Sequence, residues 1–118
     1  MLTPVGVSGS QSGMSRLTTE YVYWPFQGDN AIFTEADAQV SFRSSGDIKP
    51  GEEDWFEASI IEYPDDATLL AVRALIGPKN GGVDLTPDTA ESVNYYVWVK
   101  IITSNEEIVR RAGTLMIR

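Results

Sequence analysis

Hydrophobic and polar residues alternate with a period of two along much of this chain, and the clearest run is Asn94 to Thr103, Asn-Tyr-Tyr-Val-Trp-Val-Lys-Ile-Ile-Thr. Tyr95, Val97, Val99 and Ile101 fall on one side of such a strand, and Tyr96, Trp98, Lys100 and Ile102 on the other, so one face is apolar and the other mixed. Nearly all of its residues are β-branched or aromatic, the types that fit a pleated, half-buried surface. The same alternation marks Ala38 to Arg43, with Ala38, Val40 and Phe42 opposed to Gln39, Ser41 and Arg43. It recurs over Trp55 to Tyr63, where Phe56, Ala58, Ile60 and Glu62 face away from Trp55, Glu57, Ser59 and Ile61. Looser runs predict strands over Leu17 to Trp24, with Pro25 ending the pattern, over Thr68 to Ile76, and over Ile108 to Ile117 with a bend at Ala112-Gly113. Val40, Phe42, Ile60, Val72, Val97 and Val99 are the predicted core.

Turn chemistry separates these runs: Ser44 to Asp47, Lys49 to Glu52, Pro64-Asp65-Asp66, and the long Gly77 to Gly82 segment. No stretch shows the 3.6-residue period of a helix, and there is no internal repeat. The pattern therefore predicts an all-β fold, a single antiparallel β-sandwich of six or seven strands spanning residues 15–118. A chain of 118 residues suits one such domain. Residues 1–14 are rich in Gly and Ser and predict a flexible, extended N-terminal arm. Its apolar side chains, Leu2, Pro4, Val5 and Val7, are the available anchors for a neighbouring subunit. Met14, followed by Ser-Arg-Leu-Thr-Thr-Glu, fits a second start position.

Composition narrows the chemistry. A formal net charge of −8 and only nine scattered Lys and Arg argue against a nucleic-acid partner, since phosphate binding needs clustered cations. The chain has neither Cys nor His, so disulfides, Ser-His-Asp and Cys-His nucleophiles, and His or Cys metal sites are all excluded. Carboxylates remain, in Glu52-Glu53-Asp54, Asp65-Asp66, and Glu35 with Asp37. Each lies in or beside a predicted turn, where solvated acids are ordinary, and none has EF-hand spacing. Gly77 to Gly82 lacks the Lys-Ser/Thr of a phosphate-binding loop. No run approaches the ~20 apolar residues of a membrane span, and the expectation is a soluble chain made in the cytosol, with no membrane partner and no cofactor or metal. On its outward face, Trp98 with Tyr96 forms a predicted protein-contact patch.

Four segments carry a resemblance: Val72-Arg73-Ala74-Leu75-Ile76-Gly77-Pro78, Gly81-Gly82-Val83-Asp84-Leu85-Thr86, Tyr95-Tyr96-Val97-Trp98-Val99-Lys100-Ile101, and Arg111-Ala112-Gly113-Thr114-Leu115. Together they resemble small Ig-like structural proteins of tailed bacteriophages, especially those of actinobacterial hosts. The resemblance covers roughly the C-terminal half, extends weakly to Trp55, and leaves the N-terminal arm unmatched. It implies an Ig-like sandwich and a virion component, assembled in the host cytoplasm, with no catalytic residues. Tyr95, after the Leu85 to Ser92 connection, also resembles the tyrosine corner of Ig-like domains, whose phenol bonds the preceding crossover. If Tyr96 is the buried ring instead, the register is one residue out and Trp98 moves to the core.

Three functions from different classes follow. The first is a non-enzymatic capsid decoration protein that binds and stabilises the shell, with major capsid or other virion proteins as partners and several copies associating on the particle. The second is a head-tail connector, tail or baseplate module that binds a protein, a host receptor or a carbohydrate. The third is a carboxylate-dependent hydrolase, which needs two carboxylates converging within ~5–10 Å in a cleft.

Overall fold

The computed structural model describes residues 3–4, 14–27, 36–43, 50–51, 54–86, 91–103 and 106–118, with backbone alone for the first two. The strands are β1 (Thr3–Pro4), β2 (Glu20–Gln27), β3 (Asp37–Arg43), β4 (Phe56–Glu62), β5 (Leu70–Ile76), β6 (Val93–Ile102) and β7 (Glu107–Ile117). The all-β, antiparallel expectation holds. The strands form one sheet in the order β1-β2-β5-β4-β3-β6-β7, so six full strands and the two-residue β1 share a continuous ladder. Two separate sheets were the expectation. They are joined because Ala38, Gln39 and Val40 of β3 pair with Ala58, Glu57 and Phe56 of β4.

The sheet curls until its ends nearly meet. β1 pairs with the end of β2 and also approaches β7. Met14 to Arg16 then run parallel to the end of β7: the Met14 N–H donates to the Met116 carbonyl at 2.8 Å, the Arg118 N–H to Met14 at 2.9 Å, and the Arg16 N–H to Arg118 at 2.8 Å. The described parts of the N-terminal segment thus lie on both margins of the sheet, and Met14 is buried in the core. Residues 1–2 and 5–13, on which the rest of the expected arm falls, lie outside the described residues.

Period-two alternation then decides what the curl encloses. Val22, Trp24 and Phe26 of β2 point inward with Val72, Ala74 and Ile76 of β5, and Val97, Val99 and Ile101 of β6 join Leu115 and Ile117 of β7. Rows run across the strands: Trp24 opposes Val72, which opposes Ile60, and Val40 opposes Val99. Four of the six predicted core residues are fully buried. Phe42 and Ile60 are only partly so, because they lie towards the margin of the enclosed face. Phe42 connects the core to that margin, its ring 6.0 Å from Trp24 and 6.3 Å from Phe56.

Two local features depart from or match the pattern. β2 does not stop at Pro25 as the alternation predicts; it continues to Gln27, with Pro25 opposite Ala71. On its other side the described pairing reaches only Phe26 and Gln27, so Pro25 sits close to an edge, where a missing N–H removes no ladder bond. The bend at Ala112-Gly113 is present as a register shift: Val97 pairs with Gly113 but Trp98 with Arg111, and Gly113 takes φ +143°.

Gly77 ends β5 at φ +143°, where a side chain would run into the Thr19 backbone and hydroxyl and the Thr18 carbonyl. Gly81, at φ +78°, faces open space. Gly77→Ala is therefore expected to cost at least about 2 kcal/mol and Gly81→Ala about 1 kcal/mol, the backbone penalty alone. Urea denaturation midpoints at unchanged slope measure both, and equal losses would show that the close approach to Thr19 contributes nothing. In the core, Trp24→Ala is expected to cost ~3–5 kcal/mol. Phe56→Ala, at a ring that is 45% exposed, is expected to cost no more than about 1 kcal/mol by the same measurement.

Candidate functional site

With the apolar face enclosed, chemistry is left to the outward residues of the two halves of the sheet. On β3-β6-β7, cross-strand rows set Arg43, Tyr96 and Thr114 side by side, then Ser41, Trp98 and Arg111, then Gln39, Lys100 and Val109. Tyr95, Val97, Val99 and Ile101 point inward, so the predicted register of β6 is correct. The Tyr95 hydroxyl lies 3.5 Å from the Leu85 carbonyl it faces, at the long limit for a hydrogen bond.

Tyr96 and Trp98 lie on the outward face, as expected, but both are half-buried. The chain's own side chains crowd the face. The Arg111 guanidinium sits 4.7 Å from the Tyr96 ring centroid, and the Lys100 ammonium 4.4 Å from that of Trp55. Lys100 also pairs with Glu107 at 3.3 Å, leaving its side chain 14% exposed. Arg43 pairs with Asp54 at 3.0 Å, and the same Asp54 oxygen accepts the Gly51 N–H at 2.7 Å. Two polar atoms in the middle row, Trp98 Nε1 and Ser41 Oγ, are buried with no hydrogen-bond partner among the described residues. With Ser41 buried and Tyr96, Trp98 and Lys100 half-buried, the middle of this face offers less open surface than the alternation implies, while Val109 and Arg111 stay exposed at β7.

The outward face of β2-β5-β4 differs. Tyr21 opposes Leu75, and Tyr23 opposes Arg73, whose other neighbour is Ser59. Arg73 leans to its diagonal neighbour, the guanidinium carbon 4.2 Å from the Tyr21 ring centroid. Its Nε is buried without a hydrogen-bond partner, and no described carboxylate lies within ion-pair distance. Glu57, two residues before Ser59, accepts instead from Gln39 at 3.0 Å. Tyr63 adds a third phenol, 6.4 Å from Tyr23; burial, then the charge and hydrogen bond of Asp65, raise it above its ordinary value. Pro25 and Ala71 share this face but are buried, so its open part runs from Tyr21, 49% exposed, to Leu75 and Arg73. Leu17, 81% exposed, precedes Tyr21 by four residues at the same end of the sheet.

This second face was missed in the sequence. Tyr21 and Tyr23 alternate visibly, and so do Arg73 and Leu75, but nothing in either run says that β2 and β5 are neighbours. Of the proposed anchors, Pro4 pairs through its backbone with Phe26, while Leu2, Val5 and Val7 lie outside the described residues.

Of the acidic candidates, Asp54 is bonded to Arg43 and Gly51, and Asp66 forms a turn that Asp84 repeats elsewhere. The Thr68 hydroxyl and N–H donate to Asp66 at 2.6 and 3.0 Å, and Thr86 does the same to Asp84 at 2.6 and 3.0 Å. Glu35, Glu52 and Glu53 lie outside the described residues. No group of three or more acidic side chains able to hold a metal occurs among the described residues. A small open notch is lined by Met14, Arg16, Ile76, Pro78, Leu85 and Ile117, among others. No protein-family model matches this chain, and neither does any curated protein or solved structure.

The two Asp-x-Thr turns make the chain acid-sensitive in a defined direction. The hydroxyl bonds first, and the amide bonds second, hold Asp66 and Asp84 below the usual carboxylate value. A group depressed in the folded state contributes stability that is fully present above its unfolded value, about 3.9, and is lost as pH falls through the lower folded value. Thr68→Val with Thr86→Val is therefore expected to reduce the stability lost between about pH 5 and pH 2. Urea midpoints across that range test it, and an unchanged loss would deny the two turns a share in acid unfolding.

Proposed function

We propose that this chain is a non-enzymatic structural protein of a tailed-phage particle, a capsid decoration protein whose Ig-like sandwich binds the shell and stabilises it. The fold part of this reading is supported by strand order. β1-β2-β5-β4 followed by β3-β6-β7 is the ABED and CFG order of Ig-like domains, with the β3–β4 pairing as a bridge between the two sheets. The virion part rests on the resemblance of the Val72 to Pro78, Gly81 to Thr86, Tyr95 to Ile101 and Arg111 to Leu115 segments.

One observation carries the protein-contact part: the open end of the β2-β5-β4 face, where Tyr21, Tyr23 and Leu75 surround Arg73. Aromatic residues and Arg are enriched at the cores of protein interfaces, and Lys and Glu are depleted. In a chain with seventeen acidic residues, a sheet face centred on tyrosines and an arginine stands out from the remaining surface.

Particles produced by the genome that encodes the chain provide the test. Immunodetection and electron microscopy of purified particles are expected to find it in many copies at regular positions on the shell. Copies confined to the connector, tail or baseplate would assign it to the alternative module. Its absence from purified particles would overturn the virion reading.

A further inference from the structure

We propose that the open end of the β2-β5-β4 face recognises a carboxylate, an Asp or Glu side chain flanked by apolar residues on a protein partner, through the Arg73 guanidinium. This rests on the reading of that face as a protein contact and adds the chemistry of the partner.

Arg73 is prepared for such a task. Stacking on Tyr21 restrains the guanidinium plane, and its two strand neighbours, Tyr23 and Ser59, carry no charge. A planar fork held in one orientation loses less rotamer entropy when it binds, and it matches a carboxylate with two parallel hydrogen bonds. The other two cations over aromatic rings are occupied differently. Lys100 is paired with Glu107, whereas Arg111 is exposed beside Tyr96 and lacks the buried, ring-held setting of Arg73. Arg73 makes no ion pair among the described residues, in a chain of net charge −8.

The surroundings favour a protein over an acidic sugar. Sugar hydroxyls need amide and carboxylate partners beside a stacking ring; Ser59 and phenols adjoin Arg73, and the carboxylate of Glu57, two residues from Ser59, is engaged by the Gln39 amide. Leu75 on one side of Arg73 and the half-buried Ile61, opposite Ala71, on the other suit apolar side chains flanking an acid. Two copies apposed symmetrically through this face would bring Arg73 against Arg73, which disfavours self-association here.

The test is an NMR titration of the full chain, labelled with nitrogen-15, with two capped peptides that differ only in a central Glu or Gln between leucines. The Glu peptide is expected to shift the Arg73 side-chain N–H and the Tyr21 and Leu75 amides, and to bind at least about tenfold more tightly than the Gln peptide. Arg73→Gln should abolish that preference and Arg73→Lys should retain part of it. The wild-type comparison of the two peptides stands even if a variant fails to fold. Equal binding of both peptides at this face would overturn carboxylate recognition and leave the protein-contact reading intact, whereas no response at the face would overturn both. Stronger shifts with an oligogalacturonate than with the Glu peptide, or self-association lost on Arg73→Gln, would replace the acidic protein segment with a sugar or a second copy. No particle is used, so the outcome is independent of the virion assignment.

Discussion

An antiparallel sheet can hide its apolar face only by packing on another layer or by curling over itself, and here the curl depends on the short pairing between β3 and β4. Three residues on each strand, Ala38 to Val40 and Phe56 to Ala58, carry the ladder from one half of the sheet to the other. Without it, β2-β5-β4 and β3-β6-β7 would be separate sheets holding the same core between them. With it, the rows Trp24-Val72-Ile60 and Val40-Val99 belong to one closed surface. At the opposite seam, the Met14 to Arg16 bonds to the end of β7 hold the second margin. The bulge at Ala112-Gly113 lets β7 bend between them while Ala112 and Leu115 remain in the core.

Enclosure leaves a polar cost. Trp24 Nε1 is in the core, Ser41 Oγ and Trp98 Nε1 lie on one outward face and Arg73 Nε on the other, all without described hydrogen-bond partners. An unsatisfied buried polar group costs about 1–3 kcal/mol. For Trp24 the ring's burial and its contact with Phe42 offset that cost. Trp98 and Ser41 occupy one cross-strand row of the outward face, Ser41 buried and Trp98 half-buried. Arg73 is half-buried beside the exposed Tyr21.

Three of the described cations in this acidic chain lie over rings. Arg73 on Tyr21, Lys100 near Trp55 and Arg111 on Tyr96 all lie on outward faces, each aromatic residue covering a charged group or being covered by one. Such contacts contribute roughly 0.5–2 kcal/mol according to their exposure. On β3-β6-β7 they lie beside the Arg43–Asp54 and Lys100–Glu107 pairs, and Lys100 takes part in both kinds of contact. On β2-β5-β4 the same kind of contact holds Arg73, which makes no ion pair among the described residues.

Alternation along the chain was enough to locate six strands, to assign the two faces of β6 residue by residue, and to place a bend at Gly113. The absence of His and Cys was enough to exclude whole classes of chemistry. These are local or compositional properties, decided by neighbours two positions apart or by residue type alone. The passage of β2 through Pro25, the use of Thr3-Pro4 as a strand, and the contact of Trp55 with Lys100 were not legible, because each depends on which segment lies alongside. Only the tertiary structure brought Tyr21 and Tyr23 against Arg73, some fifty residues away in the chain. Strand pairing between distant segments is selected by how the whole core packs, and no short window of sequence contains that information.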